Sequence, residues 1–246
     1  MTLPAGDAPL TLLCTSADIE RVLDLPISPS ADRVGPGKRG GGGNWRTFTG
    51  LLPPNPLMLS PLVVTVALAL LVPRTVQSQP ALDAFMASIR AQCGRAFEGR
   101  VIDPQPVDSL MARERLVMHV RGCGDTLRIP FHVGENRSRT WVFTRAAAGV
   151  RLKHDHRHED GFEDAVTQYG GDARPGGTAE RMEFAADAFT AGLIPAARTN
   201  VWTVEITGTR FVYQLRREGT DRRFRVEFDL TRPVTPPPAP WGAPPG

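Results

Sequence analysis

The sequence has little net charge, no apolar run long enough to cross a membrane and none of the common catalytic motifs. Its formal net charge is +3, from scattered charges, which argues against a nucleic-acid-binding protein. The apolar run from Leu62 to Val72 has 11 residues, whereas a membrane-spanning helix needs about 20. A Ser-His-Asp order, a phosphate-binding loop and a Cys-x-x-Cys pair are all absent from the sequence. Nothing here requires an enzyme, and no catalytic residue and no cofactor other than a metal is predicted.

The apolar run has instead the length of a signal-peptide core, which needs about 7–15 residues. The run ends at Pro73, and the small-residue pattern at 76–78 suits cleavage after Ser78. We therefore predict a signal peptide at residues 58–78 and export to the bacterial periplasm or the medium, with no membrane span after cleavage. Because no Lys or Arg lies between Met58 and the apolar core, a retained cytoplasmic leader is the alternative.

The two ends of the chain are predicted to lie outside the folded domain. Residues 1–57 include a stretch rich in Gly, Pro and Ser, which cannot bury enough apolar area to fold. They are predicted to be a disordered leader or an over-extended gene start. Residues 235–246 are Pro-rich and are predicted to form an extended, disordered tail. One folded domain is therefore expected at residues 79–234.

The predicted domain consists of one helix followed by strands. Apolar residues recur at helical spacing from Leu82 to Cys93, and Gly94 ends this helix. Residues 186–194 are a candidate second helix. Alternating apolar and polar residues, separated by short turns, predict strands at 97–102, 116–120, 127–133, 140–145, 150–158, 165–169, 179–184, 201–206, 210–217 and 223–230.

A meander of this length tends to close on itself, because closure removes exposed strand edges. The predicted fold is therefore all-β: an antiparallel up-and-down meander that closes into a small lipocalin-like barrel, with one N-terminal helix. Gly170 and Gly171, which follow the short strand at 165–169, are predicted to form a turn.

Two cysteines remain in the domain once the leader and the signal peptide are removed. Cys14 lies in the leader, whereas Cys93 ends the predicted helix and Cys123 lies in the first tight turn. In an oxidising compartment the simplest outcome is a Cys93–Cys123 disulfide that attaches the helix to the barrel. The alternative is a pair of reduced thiols, and neither thiol has the setting of a catalytic nucleophile.

Three histidines alternate along one predicted strand. Because alternate residues of a strand share a face, His154, His156 and His158 are expected to face the lumen. Three interpretations are open: a polar network within the fold, contacts to a small ligand or anion, and a metal site. Glu159 or Asp160 would complete the ligand shell of such a metal site.

Aromatic residues of the later strands are candidates to line or fill the lumen. Trp202 and Tyr213 are predicted to contact a ligand, and a place in the packed core is the alternative for Trp202. Three further aromatic residues are available in the same region: Phe211, Phe224 and Phe228.

Several short motifs occur together in the domain. They are Trp-Val-Phe-Thr-Arg at 141–145, Lys-His-Asp-His-Arg-His-Glu-Asp-Gly at 153–161, Tyr-Gly-Gly-Asp at 169–172, Asn-Val-Trp at 200–202 and Phe-Asp-Leu-Thr-Arg-Pro at 228–233. In combination they resemble an uncharacterised family of bacterial secreted proteins, over most of residues 81–234. The resemblance implies export and one compact domain, and it supplies no catalytic residues.

One leading hypothesis and two alternatives follow from these features. The leading hypothesis is an exported, non-enzymatic β-barrel that binds a small apolar or amphipathic molecule in its lumen. The first alternative is a metal-assisted or hydrolytic enzyme that uses His154, His156 and His158. The second is an envelope interaction module whose Arg-rich outer strand faces meet a partner. No nucleic-acid partner is predicted, and the oligomeric state is left open.

Overall fold

The computed structural model describes residues 79–146 and 149–243 of the chain. The leader and the signal peptide predicted at residues 1–57 and 58–78 lie outside these residues, and both stay predictions. Within the described ranges, no helix is long and apolar enough to span a membrane. The described residues form one sheet of 11 antiparallel strands that is nearly closed into a barrel, preceded by a helix.

The first element, helix α1 (Gln79–Arg90), confirms the predicted N-terminal helix. Its apolar residues recur every three or four positions and therefore share one face. That face is buried in the barrel through Leu82, Phe85, Met86 and Ile89. The ring of Phe85 packs edge to face on Phe143, with centroids 6.3 Å apart, so α1 closes one end of the lumen.

The eleven strands follow in chain order. They are β1 (Ala96–Val101), β2 (Leu116–His119), β3 (Gly122–Cys123), β4 (Thr126–Val133), β5 (Asn136–Ala146), β6 (Gly149–His156), β7 (Tyr169–Asp172), β8 (Arg181–Ala185), β9 (Asn200–Ile206), β10 (Arg210–Arg217) and β11 (Arg223–Val234). Apart from the short β3, which pairs only with β4, each strand from β1 to β7 pairs with the next, and so does each from β8 to β11. Strand β11 also pairs with β1, which confirms the predicted up-and-down meander.

The seam between β7 and β8 brings the sheet close to full closure. Ala173 bridges Phe184 across this seam, and the Arg174 amide donates to the Glu183 carbonyl at 2.7 Å. Few strand edges are therefore left open in the described sheet, which is the benefit expected from closure.

Gly170 and Gly171 lie within β7, so the predicted turn at these two residues is wrong. A side chain at Gly170 would collide with the Leu152 carbonyl of β6. One at Gly171 would collide with the Ala185 carbonyl at the end of β8. Glycine is needed because β7 approaches the backbone on both sides more closely than a Cβ atom allows.

Helix α2 (Ala188–Leu193) lies beside this seam and contacts β7. The Asp187 carboxylate caps the helix by accepting from the Thr190 amide at 2.8 Å. The Thr190 hydroxyl accepts from the Gly170 amide at 2.7 Å and donates to the Gly170 carbonyl at 2.8 Å. Lys153 of β6 adds an ion pair to Asp187 at 2.6 Å. The short helix is thereby attached to β6 and β7.

The connections of the meander alternate between two ends of the barrel. The long connections 102–115, 157–168 and 186–199 share one end. The turn 207–209 lies at the other end, which α1 closes. The end with the long connections is therefore the end at which side chains from loops can reach the lumen.

The β1–β2 connection, residues 102–115, is held by a buried ion pair. Arg222, beside the β10–β11 turn, donates to both carboxylate oxygens of Asp108 at 2.8 and 2.9 Å. The two side chains are only 7% and 1% exposed, so water screens the pair little. The same connection carries a short 3₁₀ turn, Met111–Arg113, whose Met111 is buried at this end of the barrel.

Residues 235–243 pack on the barrel, which corrects the prediction of a disordered tail. The Arg137 side chain donates to the Ala239 carbonyl at 3.3 Å, and the Trp241 amide donates to the Arg137 carbonyl at 3.2 Å. Pro240 is buried. The segment is extended, as its proline content predicts, but β5 supplies partners for its backbone that composition alone does not reveal.

Cys93, three residues after the end of α1, lies beside Cys123 of β3, so the turn predicted at Cys123 is a short strand. Their Cα atoms are 6.1 Å apart, within the usual range for a disulfide, and the structure joins the two sulfurs. The Arg90 side chain adds a second link by donating to the Gly124 carbonyl at 3.1 Å. The predicted cysteine pair therefore attaches α1 to the barrel.

Apolar side chains fill most of the lumen. The largest that are fully buried are Trp202, Phe85, Phe97, Phe143, Phe184, Phe211 and Phe228. Phe143 and Phe184, for example, pack edge to face with centroids 5.9 Å apart. Burial of side chains of this size is the main favourable contribution to folding. It also leaves little room for a large apolar ligand.

Candidate ligand-binding site

A cavity of about 60 Å³ lies inside the barrel at the end that carries the long connections. Its apolar lining consists of Met111, Phe131, Trp141, Trp202, Leu215 and Phe224. Its polar lining consists of Arg139, Thr140, His154, His156, Tyr169 and Tyr213. All twelve residues are less than one-tenth exposed. Since one water occupies about 30 Å³ in the liquid, the cavity has room for about two waters.

The register of three neighbouring strands brings the polar residues together. Arg139 of β5 pairs with His156 of β6, and Trp141 pairs with His154 two residues further along. His154 pairs in turn with Tyr169 of β7. Because alternate residues of a strand share a face, these side chains all point into the lumen. The polar end of the cavity is thus a direct consequence of strand pairing.

Stacked aromatic rings form one wall of the cavity. Trp141 lies between Phe131 and Tyr213, with ring centroids 4.8 and 4.5 Å away and interplanar angles of 13° and 20°. The His154 ring stacks on Tyr169 at 4.5 Å. Each such pair adds roughly 0.5–1.5 kcal/mol beyond the area it buries, so the stacked rings stabilise this wall.

His154 uses both of its ring nitrogens within the protein. Nδ1 lies 3.0 Å from the Tyr169 carbonyl, and Nε2 lies 2.7 Å from the Tyr213 hydroxyl. Burial lowers the pKa of His154 to about 3, so the ring is neutral at pH 7 and carries one N–H. A carbonyl can only accept, so the hydrogen lies on Nδ1, and the Tyr213 hydroxyl donates to Nε2. His154 is therefore a structural member of the wall.

His156 has one ring nitrogen without a partner. Its Nε2 lies 3.0 Å from the Tyr169 hydroxyl, whereas its buried Nδ1 has no hydrogen-bond partner. Burial, the nearby Arg139 charge and His154 hold the pKa of His156 well below its usual value, so this ring is also neutral. An unpaired buried polar atom costs about 1–3 kcal/mol, which makes Nδ1 a candidate contact for a ligand.

The position of the hydrogen on His156 follows from the needs of Tyr169. Burial raises the pKa of Tyr169, so its hydroxyl keeps its proton at pH 7. The only hydrogen-bond partner of that hydroxyl among the described residues is His156 Nε2. If the hydroxyl donates to Nε2, one polar hydrogen stays unpaired, the Nδ1–H of His156. The opposite arrangement would leave both the hydroxyl hydrogen and Nδ1 unpaired, so the first is favoured.

Arg139 places a buried positive charge at the same end of the cavity. Its side chain is 8% exposed and donates to the Asn136 side-chain oxygen at 2.9 Å. That oxygen also accepts from the Ser138 hydroxyl at 2.6 Å, which fixes Asn136 beside the β4–β5 turn. The guanidinium is always protonated, and the buried Asp164 side chain lies close enough to Tyr169 to raise the pKa of that hydroxyl, so Arg139 is not the only charged group near this end of the cavity.

Four of the five predicted ligand contacts line the cavity together. His154, His156, Trp202 and Tyr213 meet there. His158 does not, because β6 ends at His156 and the His158 side chain is half exposed.

The predicted metal-ligand set of His154, His156, His158 and Glu159 is not brought together. Within the described part of the chain, no group of three or more His, Cys, Asp or Glu side chains is placed to hold a metal ion. The sequence pattern failed at the end of β6, since the Asp160 side chain accepts from the Phe162 amide at 3.0 Å and turns the chain there.

Arg139, Tyr169, Trp141 and Met111 also line the cavity and were not predicted to do so. Arg139 was missed because the predicted strand began at residue 140, whereas β5 begins at Asn136. With the true start, alternation from Phe143 back through Trp141 would have placed Arg139 in the lumen. Met111 comes from a loop, and nothing in the sequence pattern indicates its position.

No family model, curated protein or solved structure matches this chain. The resemblance of its motifs to a family of bacterial secreted proteins therefore stays a prediction. The barrel and its cavity are the basis for any statement about function.

Proposed function

We propose that this protein is an exported β-barrel that binds one small molecule in the lumen cavity. The observation that carries the proposal is the unpaired Nδ1 of His156, which lies in a cavity lined by buried side chains. A barrel that needed only a stable core would gain by filling this space with apolar side chains, because buried polar groups without partners are costly. A bound ligand supplies the missing partner.

The size of the cavity limits the ligand. A well-known engineered cavity of about 150 Å³ holds benzene. The cavity here is about 60 Å³, so on the same scale a ligand of about two or three heavy atoms fits without rearrangement. The apolar and polar halves of the lining favour a small amphipathic molecule over a purely apolar one. The ligand proposed is therefore smaller than that of a typical carrier for lipids or pigments.

Export is part of the same proposal. The paired Cys93 and Cys123 are typical of an oxidising compartment such as the periplasm or the medium. The apolar run from Leu62 to Val72 supplies a signal-peptide core of suitable length. Mass spectrometry of the mature protein should find Gln79 as the first residue. An intact N-terminus retained in the cytoplasm would contradict export.

The metal-assisted enzyme receives no support as a second function. His158 and Glu159 lie apart from His154 and His156, and His154 already uses both ring nitrogens. The arrangement therefore favours binding over chemistry at an imidazole.

The binding function can be tested on protein recovered from a bacterial host without denaturation. Small molecules extracted from the wild type should be absent from Leu215→Trp, because the larger ring occupies the cavity. Leu110→Trp is the matched control, since Leu110 is 40% exposed and does not line the cavity. Identical extracts from wild type and Leu215→Trp would refute binding at this site.

A further inference from the structure

We propose that a second site, on the outside of the barrel, binds the ring of a neutral sugar through its hydroxyl groups. The site is a cavity of about 340 Å³ between the C-terminal segment 235–243 and the outer faces of β4, β5 and β6. It is separate from the lumen cavity, so this is a function in addition to ligand binding in the lumen.

Strand pairing and the C-terminal segment together form this outer cavity. Pro130 pairs with Thr140, and Thr140 pairs with Asp155, so the three residues form one row across β4, β5 and β6. The row faces outwards, because its neighbours along each strand face the lumen. Trp241 lies opposite, and its backbone amide donates to the Arg137 carbonyl at 3.2 Å.

The volume of the outer cavity suits a ligand much larger than the lumen cavity takes. On the scale at which benzene takes about 150 Å³, a cavity of about 340 Å³ has room for roughly 14 heavy atoms, slightly more than the roughly 12 of a hexose. The volume also falls within the range of roughly 300–1,000 Å³ that is typical of small-molecule sites.

Asp155 offers an acceptor to a ligand in the outer cavity. The residue is only 8% exposed. Among the described residues, its Oδ2 has two contacts, at 3.4 Å to Arg157 Nε and at 3.5 Å to Arg128 Nη1. Both are longer than the about 2.7–2.9 Å of a good charge-assisted hydrogen bond, so Oδ2 can still accept a well-placed hydrogen.

Arg128 offers donors at the same place. Its guanidinium carries five N–H groups, and in the described part of the chain its one polar contact is the ion pair with Asp155. The Arg128 side chain is 52% exposed, so a ligand can reach the remaining N–H groups. The outer cavity therefore presents an acceptor and a donor side by side, with charges that offset each other.

A hydroxyl group matches this pair, because it donates and accepts hydrogen bonds at once. It can donate to Asp155 Oδ2 and accept from the Arg128 guanidinium. A carboxylate can only accept and would be repelled by Asp155, whereas an ammonium group can only donate and would be repelled by Arg128. The polar side chains therefore favour a neutral ligand that carries hydroxyl groups.

The rest of the lining favours a ring. Trp241, Pro130 and Pro240 supply apolar walls. The C–H groups of a pyranose ring form an apolar face, which would bury its surface against these walls. A neutral sugar combines such a face with hydroxyl groups at its edge, so it uses both parts of the lining.

Probes built on one six-membered ring test the class on the full chain at pH 7. Ligand-observed NMR compares the affinities of four neutral sugars, glucose, galactose, mannose and N-acetylglucosamine, with those of cyclohexanecarboxylate and cyclohexylamine. We expect at least one sugar to bind at least tenfold more tightly than the carboxylate and the amine. In ¹H–¹⁵N spectra that sugar should shift the indole N–H of Trp241 and leave that of the fully buried Trp202 unchanged.

Two results would overturn the proposal. If cyclohexanecarboxylate or cyclohexylamine binds as tightly as the best sugar, hydroxyl groups are not what the site recognises. If none of the four sugars binds, the outer cavity is not a sugar site. Neither result bears on the lumen cavity, which is tested separately by small molecules extracted from the protein.

Two substitutions locate the binding. Arg128→Met and Trp241→Ala should each weaken binding of the best sugar at least tenfold, and both side chains are partly exposed, so the core is left intact. Arg151→Met is the matched control, since Arg151 is 44% exposed, is ion-paired to Asp172 and does not line the outer cavity. Unchanged binding in both cavity variants, or an equal loss in Arg151→Met, would contradict the assignment. Leu215→Trp, which fills the lumen, should leave sugar binding unchanged, and a loss there would place the sugar at the wrong site.

Discussion

The buried ion pair between Asp108 and Arg222 holds the loop that brings Met111 to the cavity, and Asp108→Asn breaks it. The loss leaves a guanidinium that is 7% exposed without its counter-ion. Removing one partner of a buried pair typically costs about 3–5 kcal/mol. Arg222 keeps two acceptors, the Gln105 side-chain oxygen at 3.0 Å and the Arg223 carbonyl at 2.6 Å. We therefore expect the low end of that range, a loss of about 3 kcal/mol.

The assay is urea unfolding followed by tryptophan fluorescence, with thermal unfolding alongside. A loss of about 3 kcal/mol lowers Tm by roughly 6–12 °C for a domain of this size. The matched control is Asp172→Asn, which removes a bidentate partner of Arg151 at 2.6 and 2.9 Å. That pair is 44% and 35% exposed, so its loss should cost only about 0–1 kcal/mol.

The comparison of the two Asp→Asn variants decides whether burial is the cause. Equal losses in Asp108→Asn and Asp172→Asn would refute the reasoning, since both remove a bidentate contact to arginine. The double variant Asp108→Leu with Arg222→Met removes both charges and should recover most of the stability. A double variant no more stable than Asp108→Asn would show that an unpaired charge is not the source of the loss.

Three further perturbations have expected outcomes. Reduction of the Cys93–Cys123 bond, which closes a separation of 30 residues, should lower the free energy of unfolding by about 3–4 kcal/mol; an unchanged urea midpoint would contradict the link. Gly171→Ala should cost at least about 2 kcal/mol by collision at the β7–β8 seam, whereas Gly192→Ala, with open space around it, should be neutral or stabilising. The pKa of His154 is about 3 in the folded state against 6.5 as a free side chain, so the unfolded state binds the extra proton between these values. Stability should therefore fall as pH drops from 6.5 towards 3, and His154→Gln should reduce the slope by up to about 1.4 kcal/mol per pH unit; an unchanged slope would argue against a buried neutral ring.

The fold could be predicted from the sequence largely because its signals are local. The alternation of Phe224, Val226 and Phe228 indicates a strand with one buried face, and β11 shows that face in the lumen. The pair Gly170 and Gly171 misled the prediction, because glycine marks both turns and close backbone approach. Only the position of the Ala185 carbonyl distinguishes the two, and that position depends on the closed sheet.

The candidate site was predictable where it depends on strand period and not where it depends on loops. His154 and His156 were placed correctly by alternation, whereas His158 fell beyond the strand end. Arg139 required the true start of β5 and its register with β6. Met111 reaches the cavity from the β1–β2 connection, which the Asp108–Arg222 ion pair also anchors, and local sequence patterns carry no signal for such a contact.

The most direct measurement is a crystal structure of the protein purified from the export compartment of a bacterial host without refolding. We expect electron density for a small molecule in the cavity, with an acceptor atom about 2.7–3.2 Å from His156 Nδ1. A cavity that holds only water, or a His156 Nδ1 that is hydrogen-bonded to a protein group, would contradict the claim that this cavity binds a small molecule.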